Sequence, residues 1–207
     1  MHEDTLTKNT KHVLESLSQA GLTKDFYLAG GSALALYYGH RFSVDLDWFA
    51  ESFSYTPVFR EKLSKLGKLS VESEGEKTFN GALNGVKISF FEYPYPLISS
   101  KTQYKDNIYL ASQPDIAVMK LEAVARRGTY KDFVDIYFLL KEYNLDQLLD
   151  FLRKKFTGVE YNETHLLKSL TYFEDAKKSE FPEMIKPVNW EDIKKFLLSA
   201  VEQYMNL

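Results

Sequence analysis

Residues 26–49 read FYLAGGSALALYYGHRFSVDLDWF, and this stretch decides the fold of the first half of the chain. The apolar run before Gly30 is typical of a strand, and the run after Ser32 is typical of a short helix that ends at Gly39. Glycine lets the backbone approach a ligand closely, and the free amides at a helix N-terminus attract anions. The Gly30-Gly31-Ser32 junction therefore predicts a loop that cradles phosphate, with a serine hydroxyl as a further donor.

Two aspartates, Asp45 and Asp47, lie on the next predicted strand, over residues 42–50. Side chains at positions i and i+2 of a strand share a face, so the two carboxylates are expected to converge. Paired carboxylates are costly without a cation, and carboxylates facing phosphates are the usual setting for Mg²⁺. Polar neighbours expected on the same face, as candidates for holding phosphate, are Arg41 and Ser43. Apolar neighbours expected to point into the core are Val44, Leu46 and Trp48.

Taken singly, each of these two motifs has an ordinary explanation. Gly-Gly-Ser before a helix is most often a turn with an N-cap, and Asp-x-Asp on a strand is most often its solvated face. Their order along the chain, strand, glycine loop, helix and acidic strand, makes each motif support the other.

The character of the sequence changes near residue 111. Before this point short β-type runs dominate, and the clearest is a hairpin over residues 78–91 around Asn84-Gly85, a type I′ turn signal. After it, helical periodicity dominates. We expect an α/β domain with a small mixed sheet over residues 1–110 and an α-helical domain over residues 111–207. The predicted helices outside the opening stretch cover residues 8–20, 56–66, 114–127, 130–142, 145–156, 162–177 and 190–205.

Composition excludes several classes of protein. The chain has 207 residues, a formal net charge of −3 and no cysteine, which excludes disulfides, thiolate metal sites and cysteine nucleophiles. The four histidines lack zinc-type spacing. An overall basic coat for nucleic acid is absent, as are an apolar run of the roughly 20 residues that span a membrane and a signal-peptide core. We expect a protein of the reducing cytoplasm.

The combined motif resembles the signature of the DNA polymerase β-type nucleotidyltransferases, and the fuller text resembles the AbiEii/AbiGii toxin-like branch, which includes the MenT toxins. Three later segments agree with that branch, in order. Lys87-Ile88-Ser89 resembles a strand motif, Asp115 with Met119-Lys120 a third motif, and residues 131–136, KDFVDI, the Lys-Asp-x-x-Asp-Leu motif. Beyond a helical pattern, residues 145–207 carry no comparable match.

The resemblance implies a transfer of a nucleoside monophosphate from a nucleoside triphosphate to an acceptor hydroxyl, with Mg²⁺ or Mn²⁺ held by Asp45 and Asp47. It also implies a tRNA end as a candidate acceptor, a cognate antitoxin, and a helical domain that completes the active-site cleft. The implied catalytic residues are Asp45, Asp47, Lys131 and Asp135. The implied nucleotide-binding residues are Gly30, Gly31, Ser32, Arg41, Lys87 and Lys120.

One departure keeps alternatives open. Polymerase-β-type enzymes commonly carry a third carboxylate where this chain has Ser89, and serine alone is no base at neutral pH. A nucleoside-triphosphate-binding module without transfer, or an antibiotic-type nucleotidyltransferase, therefore remain alternatives. The acids weighed as substitutes for the third carboxylate are Glu74, Glu76, Glu92 and Asp135.

Several charged and aromatic residues can also be explained by structural roles alone. Asp115 fits a helix-capping acid, Lys120 a solvated helix charge, and the set Arg127, Lys131 and Asp135 a surface ladder. The basic pair Lys154-Lys155 is expected on a solvated helix face. The aromatic run over residues 90–95 fits packing between the two halves better than stacking on a base.

Overall fold

The computed structural model describes residues 1–159 and 161–206. The chain divides into two compact units, Met1–Ser112 and Gln113–Leu207. The mixed α/β class expected from the sequence is confirmed.

The first unit is a seven-stranded mixed sheet with three helices. Its sheet order is β3-β4-β5-β2-β1-β7-β6, in which β2 pairs with β5 and β1 with β7 in parallel, while all other neighbours are antiparallel. The strands are β1 Tyr27–Leu28, β2 Leu46–Ala50, β3 Leu69–Gly75, β4 Thr78–Leu83, β5 Val86–Glu92, β6 Thr102–Lys105 and β7 Ile108–Leu110. The helices are α1 Lys8–Gln19, α2 Gly30–Tyr38 and α3 Pro57–Ser64, after a 3₁₀ turn at Glu3–Thr5.

The predicted hairpin forms where the sequence places it, between β4 and β5. Asn84 and Gly85 both have positive φ, 52° and 81°, as a type I′ turn requires. The alternation along β5 is also confirmed, because Val86, Ile88 and Phe90 are buried on one face.

One face of the sheet carries the hydrophobic core of this unit. Trp48 on β2 is in register with Phe90 on β5, which is in register with Phe79 on β4. All three side chains are fully buried. The register fixes the opposite face as well, because every residue one position along each strand points the other way. That opposite face holds the polar residues of interest.

Two details of the predicted strands are wrong. The acidic strand begins only at Leu46, and Val44, expected in the core, is 46% exposed because it lies in the preceding loop. The hairpin of β6 and β7 was not predicted, because strands of four and three residues show too little alternation of apolar and polar residues. Strand β7 nevertheless extends the sheet, in parallel with β1.

The second unit is helical. Its helices are α4 Gln113–Arg126, α5 Tyr130–Leu139, α6 Leu145–Lys155, α7 Glu163–Thr171 and α8 Trp190–Met205, with a 3₁₀ turn at Asp175–Lys178. All five α-helices match predicted segments. Helix α7 is shorter than its predicted segment, which covered residues 162–177. Helix α6 starts with a reciprocal capping box between Asn144 and Gln147. Within the described part of the chain, none of the helices is both long and apolar enough to cross a membrane.

Candidate active site

The start of α2 lies directly against the acidic strand. Gly30 has a φ of 63°, a left-handed conformation that glycine adopts without a steric cost. A Cβ atom built at Gly30 would lie 2.8 Å from Oδ2 of Asp47. The backbone amide of Ala29 donates a hydrogen bond of 3.0 Å to the carbonyl oxygen of Asp47. The glycine therefore permits a close approach to a carboxylate by the backbone of the glycine loop, which the sequence predicts to be a phosphate cradle.

The second glycine makes room for a buried arginine. Arg41 is only 2% exposed, and its Nη2 occupies the space that a Cβ at Gly31 would fill. Its Nη1 donates to the carbonyl oxygen of Phe42 at 3.0 Å. The cradle backbone thus lies between a carboxylate on one side and a guanidinium on the other. Any side chain at either glycine would displace one of the two charged groups.

Ser32 ties the first turn of α2 to the segment that carries the aspartates. Its hydroxyl lies 2.9 Å from Oγ of Ser43 and also donates to the carbonyl oxygen of Asp45. Both acceptors belong to residues 43–45, so the single hydroxyl proton is directed at that segment in either case. The amide of Ser43 in turn donates to the carbonyl oxygen of Thr5 at 3.0 Å.

Asp45 and Asp47 are both partly exposed. Asp45 lies immediately before β2, and Asp47 is the second residue of that strand. Among the residues with described positions, no group of three or more acidic or histidine side chains is arranged to hold a metal ion. Mg²⁺ commonly takes only one or two carboxylates and completes its shell with phosphate oxygens and water. Two carboxylates beside a phosphate cradle therefore fit Mg²⁺ bound together with a nucleotide, and fit poorly a metal bound by protein alone.

The position beside Asp47 on the neighbouring strand is Ser89, which is 2% exposed. The acids weighed as substitutes from this unit do not stand there. Glu74 and Glu92 are in register with Phe79 and Ala50, which places them on the opposite, core-side face. There Glu74 pairs with Arg60 and Glu92 with Lys77. Glu76 lies in the turn between β3 and β4.

Lys87 lies on the same face as Ser89, one alternation earlier on β5. Its side chain is exposed, and its Nζ is 3.7 Å from Glu72. The structure thus brings Gly30 against the Asp47 carboxylate, Gly31 against Arg41 and Ser32 against the backbone of Asp45. Lys87 lies on the same face of the sheet as Asp47.

Two other predicted site residues meet inside the helical unit. Nζ of Lys120 lies 2.6 Å from Asp135 and 3.3 Å from Asp132, and all three side chains are buried. The interpretation of Lys120 as a solvated helix charge is therefore wrong. The surface-ladder interpretation is also wrong, because Asp135 is fully buried on α5.

Asp132 is the most heavily bonded member of this cluster. It accepts hydrogen bonds from the guanidinium of Arg127, at 2.8 and 3.0 Å, and from the hydroxyl of Thr129. Burial alone would raise the pKa of the Asp132 carboxyl, but Arg127, Lys120 and Thr129 together lower that pKa to about 2. Lys131, next to it, is exposed, and no ion pair to it is found among the described residues.

The sequence did not reveal a second buried pair in the same unit. Asp115 accepts a hydrogen bond of 2.7 Å from Nζ of Lys155, and both side chains are completely buried. Asp115 therefore does more than cap the start of α4, because it also forms a buried ion pair. Lys155 is not on a solvated helix face, in contrast to the prediction. Only the apolar spacing of the buried face of α6, where Lys155 follows Leu148 and Leu152, signals this burial.

Asp45 and Asp47, just before and at the start of β2, lie beside a glycine-rich helix start on a mixed sheet, an arrangement similar to that of the polymerase-β-type nucleotidyltransferases. Residues 12–204 match the family of the nucleotidyl transferase AbiEii toxin, type IV toxin-antitoxin system, and the chain belongs to this family. By family, the chain is a nucleotidyltransferase.

One relative and two solved structures are similar to most of this chain, and the structures confirm the polymerase-β-like fold expected from the sequence. An uncharacterized protein of Aquifex aeolicus is 37% identical over 209 residues, with 97% of this chain and 98% of that protein covered. A protein of H. pylori described as a nucleotidyltransferase superposes with a TM-score of 0.59 at 18% identity, covering 96% and 94% of the two chains. The MenT4 nucleotidyltransferase toxin of Mycobacterium tuberculosis gives 0.53 at 15% identity, covering 95% and 84%.

Proposed function

We propose that this chain transfers a nucleoside monophosphate from a nucleoside triphosphate to an acceptor hydroxyl, in a reaction that depends on Mg²⁺ or Mn²⁺. The observation that carries the proposal is the close approach of the Gly30 backbone to the Asp47 carboxylate. In this proposal the helix start binds phosphate and the carboxylate binds metal, so both groups would act at one point, as transfer at a phosphate requires.

In this proposal Asp45 and Asp47 would hold the metal ion, which supplies positive charge to the triphosphate. The backbone of Gly30 and Gly31 and the N-terminus of α2 face the phosphates, and Ser32 belongs to the same loop. Positive charge from nearby side chains, Arg41 and Lys87, favours the binding of the anionic substrate. The acceptor oxygen then attacks the α-phosphorus while the bond to pyrophosphate breaks, and fixed geometry and charge supply most of the rate.

The helical unit contributes three further residues to the proposal. Lys131 is exposed and is a candidate to touch substrate. Lys120 and Asp135 bind each other at 2.6 Å, so we propose that they act as a pair, with the carboxylate holding the cation in place. In this account Lys120 contributes charge toward the nucleotide, and Asp135 and Lys131 support catalysis.

We further propose that the chain is the toxin of a toxin-antitoxin pair and acts in the cytoplasm. Its family, described as type IV toxin-antitoxin, supports a cognate antitoxin as a partner. A tRNA end is the acceptor that we would test first, because the toxin-like branch that the motifs resemble includes enzymes that act there.

A second candidate function rests on one observation, the serine at position 89. The position beside Asp47 on the neighbouring strand holds a hydroxyl, which alone is no base at neutral pH, in place of a carboxylate that could accept the proton of an incoming hydroxyl. The second candidate is therefore a module that binds nucleoside triphosphate and metal without transferring the nucleotide.

One assay separates the two candidates. The purified chain is incubated with each α-labelled nucleoside triphosphate, Mg²⁺ or Mn²⁺, and total tRNA or cell lysate. We expect label on a macromolecular or small-molecule acceptor, lost in an Asp45→Asn/Asp47→Asn variant. Glu51→Gln is the matched control, because this exposed acid lies just past the end of β2. Metal-dependent nucleotide binding without transfer would favour the binding module, and neither binding nor transfer would contradict both candidates.

A further inference from the structure

Beyond the carboxylates, the same face of the sheet changes abruptly from polar to aromatic. The row that contains Asp47 continues across the sheet through Ser89, Asn80 and Ser73. The next row on this face begins with Phe49 and Phe91, which are register partners on β2 and β5. An aromatic pair therefore lies two residues along the strands from Asp47, or about 7 Å.

Four aromatic rings form this second row. The rings of Phe49 and Phe91 lie side by side, with centroids 5.3 Å apart and planes tilted by 32°. Tyr93 packs its edge on Phe49 at 5.8 Å, and Tyr27 stacks on Phe49 from β1 at 6.2 Å. Tyr27 is buried, whereas the other three rings are partly exposed. The aromatic shelf, defined as Phe49, Phe91 and Tyr93, thus packs on one side against the buried Tyr27 and is itself partly exposed.

The order of features along β2 gives the shelf its direction. Strand β1 runs antiparallel to β2, with Leu28 opposite Trp48, so the chain leaving β1 reaches Gly30 beside the N-terminal end of β2. The glycine loop and the carboxylates therefore lie together at the N-terminal end of β2, and the shelf lies two residues further along that strand. A nucleotide likewise has its phosphates at one end and its base at the other.

We propose that the aromatic shelf stacks the base of the nucleoside triphosphate. This proposal rests on the proposed function, because it assumes that the triphosphate lies at the cradle and the carboxylates. The ring faces and edges of Phe49 and Phe91 offer apolar, planar contact and no hydrogen-bonding groups. Every nucleobase has a π-face, so such a surface contributes affinity while discriminating weakly among bases.

The test compares nucleoside triphosphate with inorganic tripolyphosphate, which lacks a base. Dissociation constants are measured by calorimetry, with Mg²⁺ present, for the unmodified chain and for Phe91→Ala. We expect Phe91→Ala to weaken nucleotide binding about 5- to 100-fold and to leave tripolyphosphate binding unchanged. Tyr172→Ala, which truncates a 56% exposed aromatic residue of the helical unit, should change neither constant.

A second variant guards against misfolding. Phe91→Leu keeps most of the apolar volume beside Phe49 but removes the ring, and we expect an intermediate loss of nucleotide affinity with an unchanged unfolding temperature. Equal affinity of the unmodified chain for nucleotide and tripolyphosphate would overturn the shelf and leave the proposed function standing. Binding of neither compound would instead overturn the proposed function, and the shelf with it.

Discussion

Asp47 on β2 and Ser89 on β5 are register partners in a parallel pair of strands, and their side chains share one face of the sheet. The position where related enzymes commonly carry a third carboxylate thus holds a buried hydroxyl. With serine at this position, the site has two carboxylates where related enzymes commonly have three. Substitution of Ser89 by aspartate tests the effect of this difference.

Ser89→Asp restores the missing carboxylate. At a position 2% exposed and beside Asp47, the new acid has a raised pKa and destabilises the fold in the absence of metal. We expect a loss of about 2 kcal/mol, or roughly 4–8 °C in the unfolding temperature, that saturating Mg²⁺ recovers. Thermal unfolding with and without Mg²⁺ measures both the loss of stability and its recovery. Ser89→Asn, of similar volume and no charge, should show no recovery, and a metal-independent loss in Ser89→Asp would contradict the placement of the cation.

Gly30→Ala tests the close approach of the cradle to Asp47. The new Cβ meets a carboxylate oxygen in a left-handed backbone, so we expect lower stability and a loss of nucleotide affinity of at least about tenfold. Gly21→Ala is the matched control, since Gly21 has a similar φ of 69° but open space around it. Both variants should lose about 1–2 kcal/mol from the backbone conformation, and only Gly30→Ala should lose nucleotide binding. Equal nucleotide affinity in the two variants would argue against a cradle at Gly30.

The buried ion pair of Asp115 and Lys155 predicts a large and specific effect on stability. Lys155→Met leaves a fully buried carboxylate without its cation, which costs roughly 3–5 kcal/mol in the free energy of unfolding. Asp115→Leu combined with Lys155→Met should recover most of this loss. Denaturant unfolding measures both. Arg153→Ala, on the same helix but with its ion pairs at the surface, should change stability by no more than about 1 kcal/mol.

The low pKa of Asp132 predicts acid sensitivity of the helical unit. Its carboxyl titrates near 3.8 when unfolded and at about 2 when folded, so the unfolded chain binds the proton more tightly. The stabilisation is complete above about pH 5 and is lost progressively as the pH falls through the folded pKa of about 2, amounting to roughly 2 kcal/mol. The slope of unfolding free energy against pH in this window should decrease in Asp132→Asn. An unchanged slope would show that other carboxyls account for the acid sensitivity.

Local signals in the sequence were sufficient for much of the fold. Asn84-Gly85 predicted its hairpin because a type I′ turn needs two residues that tolerate positive φ. The glycine loop and the acidic strand were predicted together because their order is informative where each alone is not. Strands β6 and β7 were missed because strands of four and three residues give too little alternation to count.

The buried charges of the helical unit could not be predicted in the same way. Lys155 and Asp115 are 40 residues apart, and a charged residue on a helix is exposed far more often than buried. Their pairing depends on how α4 packs on α6, which periodicity does not specify. Lys120 posed the same difficulty, and only the motif of residues 131–136 suggested that Asp132 and Asp135 were more than surface charges.

Transfer of a nucleoside monophosphate is best tested by following the two ends of the triphosphate separately. Parallel reactions with α-labelled and γ-labelled nucleoside triphosphate, each with Mg²⁺ and acceptor, show which part of the nucleotide is transferred. We predict that the α-label becomes bound to the acceptor while the γ-label leaves as pyrophosphate, in equal amounts, and that Asp47→Asn abolishes both events. Transfer of the γ-label to the acceptor, or full activity in Asp47→Asn, would contradict the account.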